Sequence, residues 1–152
     1  MSGLKKIVMI IAPVEFREEE YEVPRAIFEK SGFAVSVASN TAKDCVGKFG
    51  MKVTPDLQLA ALKVRDYDAV VFVGGKGCKE YWDDAVCHRI AREAASLGKV
   101  VSAICSAPVI LARGRDTLGH FRLANPPRQT DADEALRSMR SSANRHLETM
   151  LH

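Results

Sequence analysis

The sequence predicts an α/β fold, a doubly wound and mainly parallel sheet with helices on both faces. Three observations carry this expectation. Ile7–Ala12, Asp68–Val73 and Val100–Ile104 are short apolar runs rich in β-branched residues, as strands covered on both sides are. Segments with helical spacing separate them, and strands alternating with helices at this separation imply βαβ units. Each run also stops abruptly, at Pro13, at Gly74 and at Cys105.

Taken in order, Ile7–Ala12 opens the sheet as a central strand. Glu18–Lys30 reads as a helix with Pro24 in or near its first turn, Val23, Ala26 and Ile27 facing inward, and Ser31-Gly32 closing it. Phe33–Ala38 supplies the second strand. From Asn40 to Leu59 the pattern loosens around Gly47, Gly50 and Pro55, as a short hairpin or excursion does, and Leu59–Val64 reads as a helical turn. Asp68–Val73 is a third buried strand, ended by Gly74-Gly75-Lys76-Gly77. Val86, Ile90, Ala94 and Leu97 recur at helical steps, so Asp84–Leu97 is an amphipathic helix stopped by Gly98. The strand leading to Cys105 follows.

At 152 residues, 47% hydrophobic and 27% charged, the chain fits one domain over 1–152 with a real core. A net charge of +3 with scattered Lys and Arg gives no case for nucleic acid or a membrane surface as partner. A small-molecule or protein-adduct substrate is the expectation instead. Cys45, Cys78, Cys87 and Cys105 form no CxxC pair or framework spacing, which points to reduced thiols and a cytoplasmic location. The apolar run after Lys5-Lys6 is too short for a signal segment or a membrane span.

The chemistry concentrates at strand ends. In parallel sheets the reactive crevice lies outside the carboxyl ends of the strands, and three such ends carry unusual residues: Glu15–Glu22, Gly74–Gly77 and Cys105. Cys105 ends an apolar strand and turns at once into the small-residue stretch Ser106-Ala107-Pro108. An elbow of this kind lifts a thiol above the sheet edge toward unpaired N–H groups, which favours thiolate. Cys105 is therefore the candidate nucleophile, and a buried strand-end cysteine packing as a small hydrophobe is the alternative. The glycine loop holds neither GxGxxG nor GxxxxGK[ST], so a tight turn with close backbone approach outweighs phosphate binding. Cys87-His88 are adjacent on a helix and point apart, and His120, His146 and His152 make no ligand cluster, so no metal and no cofactor are expected. Tyr81 and Trp82 read as loop packing.

Glu18-Glu19-Glu20-Tyr21-Glu22-Val23-Pro24, Tyr67–Gly75 and Ala103-Ile104-Cys105-Ser106-Ala107-Pro108 together resemble the ThiJ/PfpI superfamily over about residues 4 to 114. This is a branch of the class I glutamine-amidotransferase-like α/β proteins with intracellular peptidases, glyoxalase-like enzymes and protein deglycases. The resemblance implies a flavodoxin-like three-layer sandwich. It also implies Cys105 as nucleophile, Glu20 as site carboxylate, the N–H groups of Gly75 and Ser106 as donors to an oxyanion, and a homo-oligomer, dimer or larger. A carboxyl beside a thiol in a desolvated crevice tends to hold its proton, so Glu20 is suited to donate to a thiolate and relay that proton. The plain alternative is one solvated acid among several at a helix start.

After Gly114 the pattern changes. Arg115–His152 lacks Lys, Val, Ile, Tyr, Trp and Cys, a divergent segment whose spacing from Asp131 through Leu136, Met139 and Leu147 reads as a helix. A frame shift or truncation near residue 114 is the expectation; sequencing the encoding DNA and finding the family pattern in neither other frame would end it. Peptidase-like relatives place a histidine where this chain has Ser106, and His120 is the one nearby candidate for a base. Peptide hydrolysis needs an acid for the leaving amine, so it is the weaker expectation. The leading function is an enzyme in which Cys105 attacks a small reactive carbonyl or acyl group. The alternatives are an oxidative-stress sensor based on the same thiol, or an inactive homologue.

Overall fold

A computed structural model describes residues 3–114. Its main sheet has five strands in the order β6-β3-β1-β7-β8, all paired in parallel: β1 (Lys6–Ile10), β3 (Ala34–Ser39), β6 (Leu57–Gln58), β7 (Ala69–Phe72) and β8 (Val100–Ala103). Helices α1 (Glu18–Lys30), α2 (Ala85–Ser96) and α3 (Pro108–Arg113) connect or follow them. The doubly wound parallel α/β architecture predicted from the alternation is the one observed.

The central strand shows why the sheet is covered on both faces. Alternate residues of its run enter two different cores: Val8, Ile10 and Ala12 join one with Val70, Phe72, Ile90, Ala94 and Ile110. Ile7, Met9 and Ile11 join the other with Phe16, Tyr21, Val37, Val71 and Val73. An uninterrupted apolar run is what a two-sided strand requires.

α2 starts where its cap predicts, with the Asp84 carboxylate accepting from Cys87 N–H at 2.8 Å. Ile90, Ala91 and Ala94 are buried as expected, but Leu97 sits at the C-cap and is 50% exposed. α1 departs further. Its Val23 and Ile27, expected to face inward, are 55% and 57% exposed, while Tyr21 is buried and Phe28 packs on the core. Pro24 is not in the first turn but is the seventh residue of α1. Without an N–H it leaves the Glu20 carbonyl without its usual helical donor.

Within the loosely patterned stretch, β4 (Cys45–Gly47) and β5 (Lys52–Val53) join β2 (Val14–Phe16) in a second, three-stranded sheet, β2-β4-β5, while β6 extends the main sheet. β4 and β5 pair antiparallel as a hairpin. Leu59–Ala61 and Val64–Asp66 are single 3-10 turns. Tyr81, far from being loop packing, is buried: its hydroxyl donates to Ile11 O at 2.9 Å, accepts from Asn40 N–H at 3.0 Å and meets Ser39 Oγ. This clasps the carboxyl ends of β1 and β3 together. Among the described residues no helix is long and apolar enough to cross a membrane. The helix expected from Asp131 lies outside the described residues, as does His120.

Candidate active site

Cys105 stands two residues past the end of β8 with φ +60°, a left-handed conformation that costs a non-glycine residue of order 1 kcal/mol. The bend is tightened by Ala107 N–H donating to Ile104 O at 3.0 Å, after which Pro108 starts α3. The elbow predicted from the sequence is present. Cys105 is half-buried, whereas Cys45, Cys78 and Cys87 are buried, and all four are free thiols.

Glu20 reaches the same place from the first turn of α1. Its Oε2 accepts from Gly74 N–H at 3.0 Å. A Cβ at position 74 would lie 2.5 Å from that Oε2, 2.6 Å from Ile104 O and 2.9 Å from Cys105 Cβ. The missing side chain at 74 is therefore what lets carboxyl, thiol and strand end share one space. Gly75 is held just as closely, with φ +113° and a Cβ position 2.5 Å from Glu15 O and 2.6 Å from Arg17 N. Arg17 N–H donates to Gly74 O at 3.0 Å, so the loop before α1 and the loop after β7 are stitched together.

Ser106 braces the far side. Its hydroxyl donates to Gly75 O at 2.9 Å, and its own carbonyl accepts from Trp82 Nε1 at 2.9 Å. Trp82 is in turn flanked by the cations of Lys79 and Arg113, 5.6 and 5.3 Å from its ring centroid. Four of the five residues singled out in the sequence, Cys105, Glu20, Gly75 and Ser106, thus converge around Gly74. Gly74, Arg17 and Trp82 also belong here, and the sequence signals for them were weak: a doubled glycine, a cation in an acidic run, and a lone indole.

The electrostatics bear on the expectation that the elbow favours thiolate. Burial raises the Cys105 thiol above its ordinary range, and the charge and hydrogen-bonding capacity of Glu20 raise it further. Ser106 N–H and the Arg17 charge oppose the rise without cancelling it. Desolvation and the neighbouring acid thus work against the thiolate-favouring effect of the elbow. Glu20 is also raised by burial, against the thiol, Gly74 N–H and Arg17, which each favour its ionised form. Both groups are proton-retentive, as a half-desolvated acid pair is. Cys78, behind Ser106, is pushed up to about 12 by burial, as expected of a packing thiol. Among the described residues no cluster of three or more His, Cys, Asp or Glu side chains could hold a metal ion.

Comparison with known proteins agrees with this fold. Two solved structures share the fold: a ThiJ/PfpI domain protein from Brachyspira murdochii, TM-score 0.73 at 29% identity over 90% of this chain and 77% of that one, and Drosophila melanogaster DJ-1beta, TM-score 0.68 at 19% identity over 98% of each chain. An uncharacterized protein of Methanocaldococcus jannaschii is 45% identical over 109 residues, 71% of this chain and 53% of that protein. One of Archaeoglobus fulgidus is 36% identical over 104 residues, 68% of this chain and 62% of that protein. The chain thus spans a little over half the length of these curated relatives. The model of the DJ-1/PfpI family matches residues 5–124, ten residues past the point where the resemblance legible in the sequence ends. With most of its length matched in this way, and with an elbow cysteine facing an acid from α1, the chain belongs to the DJ-1/PfpI family.

Proposed function

We propose that the protein is a cysteine-dependent enzyme acting on small reactive carbonyl or acyl groups, of glyoxalase or deglycase type, with Cys105 as nucleophile and Glu20 as proton carrier. The observation that carries this reading is the close packing around Gly74, where a Cβ would lie 2.5 Å from the Glu20 carboxylate and 2.9 Å from Cys105 Cβ, so that acid and thiol-bearing side chain flank one position. In the addition step the thiol gives its proton to Glu20 as the S–C bond forms, and the carbonyl π electrons move to oxygen. That oxygen then takes the proton back from Glu20, giving a hemithioacetal; with an acyl substrate the oxygen's pair reforms the carbonyl and the leaving group departs with its bonding pair and the proton from Glu20, leaving a thioester. Burial makes Glu20 a stronger base than an exposed carboxylate, which suits it to this transfer. The N–H groups of Gly75 and Ser106 are assigned to the developing oxyanion, each worth about 3 kcal/mol when aimed at it.

Methylglyoxal turnover by wild type and Cys105→Ser tests the reading, with activity expected only in the former. Equal rates in the two would eliminate it. The peroxide-sensing alternative draws on the same thiol and has no contact of its own behind it. Selective oxygen addition at Cys105 after mild peroxide, read by intact mass, would bring that alternative back. Peptide hydrolysis is disfavoured, since Ser106 occupies the position that carries histidine in peptidase-like relatives and its hydroxyl is committed to Gly75 O.

A further inference from the structure

We propose that Trp82 is a positioning residue for the addition step: its indole N–H holds the Ser106 peptide so that the Ser106 N–H stays aimed at the oxygen of the carbonyl under attack. The inference rests on the reading of Cys105 as nucleophile and of Ser106 N–H as oxyanion donor. Cys105 is held with φ +60°, a strained conformation that persists only where the surroundings fix it. Ser106 is its neighbour and is tied down on two sides. Its carbonyl accepts from Trp82 Nε1 at 2.9 Å, and its hydroxyl donates to Gly75 O at 2.9 Å. Held by carbonyl and side chain together, residue 106 has little freedom left to swing its N–H. The hydroxyl bond also joins it to the residue assigned as the other donor.

The indole can serve as an anchor because it is itself anchored. Trp82 follows the buried Tyr81, whose hydroxyl donates to Ile11 O at 2.9 Å and accepts from Asn40 N–H at 3.0 Å. Its own N–H donates to Lys79 O at 3.2 Å, and its carbonyl meets Nε2 of His88, in the first turn of α2, at 2.8 Å. The ring packs against the core that contains Ile90 and Ile110, flanked by the cations of Lys79 and Arg113. Arg113 is tied in turn to Asp83. The carboxyl ends of β1 and β3 and the start of α2 thus fix the indole, and the indole fixes the elbow. A donor held in this way aids catalysis because it needs no reorganisation as charge develops. Loss of the indole N–H leaves the Ser106 carbonyl without its donor and free to turn to water, carrying the peptide with it.

The chain has one tryptophan, so biosynthetic replacement by the benzothiophene analogue, in which sulfur stands for the indole N–H, alters position 82 alone. Two reactions of Cys105 then separate positioning from packing. In carbonyl addition the S–C bond forms, the π pair moves to oxygen and the thiol proton follows through Glu20, so an oxyanion needs its donors. In alkylation by iodoacetamide the sulfur displaces iodide with its bonding pair and gives its proton to solvent, and no oxygen gains charge. With methylglyoxal, kcat should fall roughly tenfold in the analogue protein while KM stays within about twofold, part of the cost of losing an oxyanion donor outright. The rate of Cys105 alkylation, followed by peptide mass mapping, should be unchanged. Trp82→Phe, which keeps an aromatic ring without the N–H, should repeat the pattern. Unchanged kcat in both proteins overturns the positioning role and leaves the nucleophile standing. A parallel fall in kcat and alkylation rate overturns it too, because the indole then only packs the elbow. Equal methylglyoxal rates in wild type and Cys105→Ser defeat the enzyme reading, and the positioning role with it.

Discussion

Replacing Glu20 by glutamine keeps an oxygen for Gly74 N–H and removes a charge that burial opposes. An acid whose pKa is raised on folding holds its proton more tightly folded than unfolded. Its stabilising contribution is complete below the ordinary carboxylate range and is lost as pH climbs through the raised value. Glu20→Gln should therefore melt at a higher temperature than wild type at neutral pH, with the gain vanishing in acid; melting curves across that range check it. At this scale Cys105 and Glu20 were legible, because a strand ending on cysteine and an acid in the first turn of a helix are local patterns. Gly74 and Arg17 were not, since what matters about them is contact between three strand ends far apart in sequence. The thiol's raised pKa was illegible for the same reason: it depends on how much water the fold removes and on which acid it delivers.

Elements were readable where the period was long enough to repeat. Ile90 and Ala94 marked the buried face of α2, and Asp84 marked its start. Asp84→Ala removes the acceptor for Cys87 N–H and should cost about 1 kcal/mol of unfolding free energy, measured by urea titration. α1 was misread in orientation because its apolar residues do not form a single stripe. Tyr21 and Phe28 take the inward face, and Arg25 stays beside them through a hydrogen bond to the Tyr21 hydroxyl and an ion pair with Glu29 at 2.8 Å. Val23 and Ile27 are left outside. The hairpin of β4 and β5 gave only a loose signal, since strands of three and two residues are too short to show alternation. Its importance lies in what it carries: Gly47 makes room for the Glu18 carboxylate, and Phe49 supports Arg17.

For the whole molecule, the two-sided burial of β1 fixes the architecture, and the uninterrupted run from Ile7 to Ala12 announced it. Ile10 and Met9 are both fully buried but belong to different cores. Truncating either to alanine should destabilise by about 2–5 kcal/mol, the range for large apolar side chains in well-packed cores, and denaturant midpoints will show it. A one-sided sheet would make one of the two substitutions nearly silent. The same stacking places the carboxyl ends of β1, β7 and β8 side by side, so the loops carrying Glu20, Gly74 and Cys105 have little choice but to meet. The site is in this sense a consequence of the strand order. Within it Glu20 and Cys105 share one electrostatic environment. The pH dependence of iodoacetamide alkylation at Cys105 measures it: the midpoint should lie above that of an ordinary thiol in wild type and fall in Glu20→Gln, whereas the same midpoint in both proteins would contradict it.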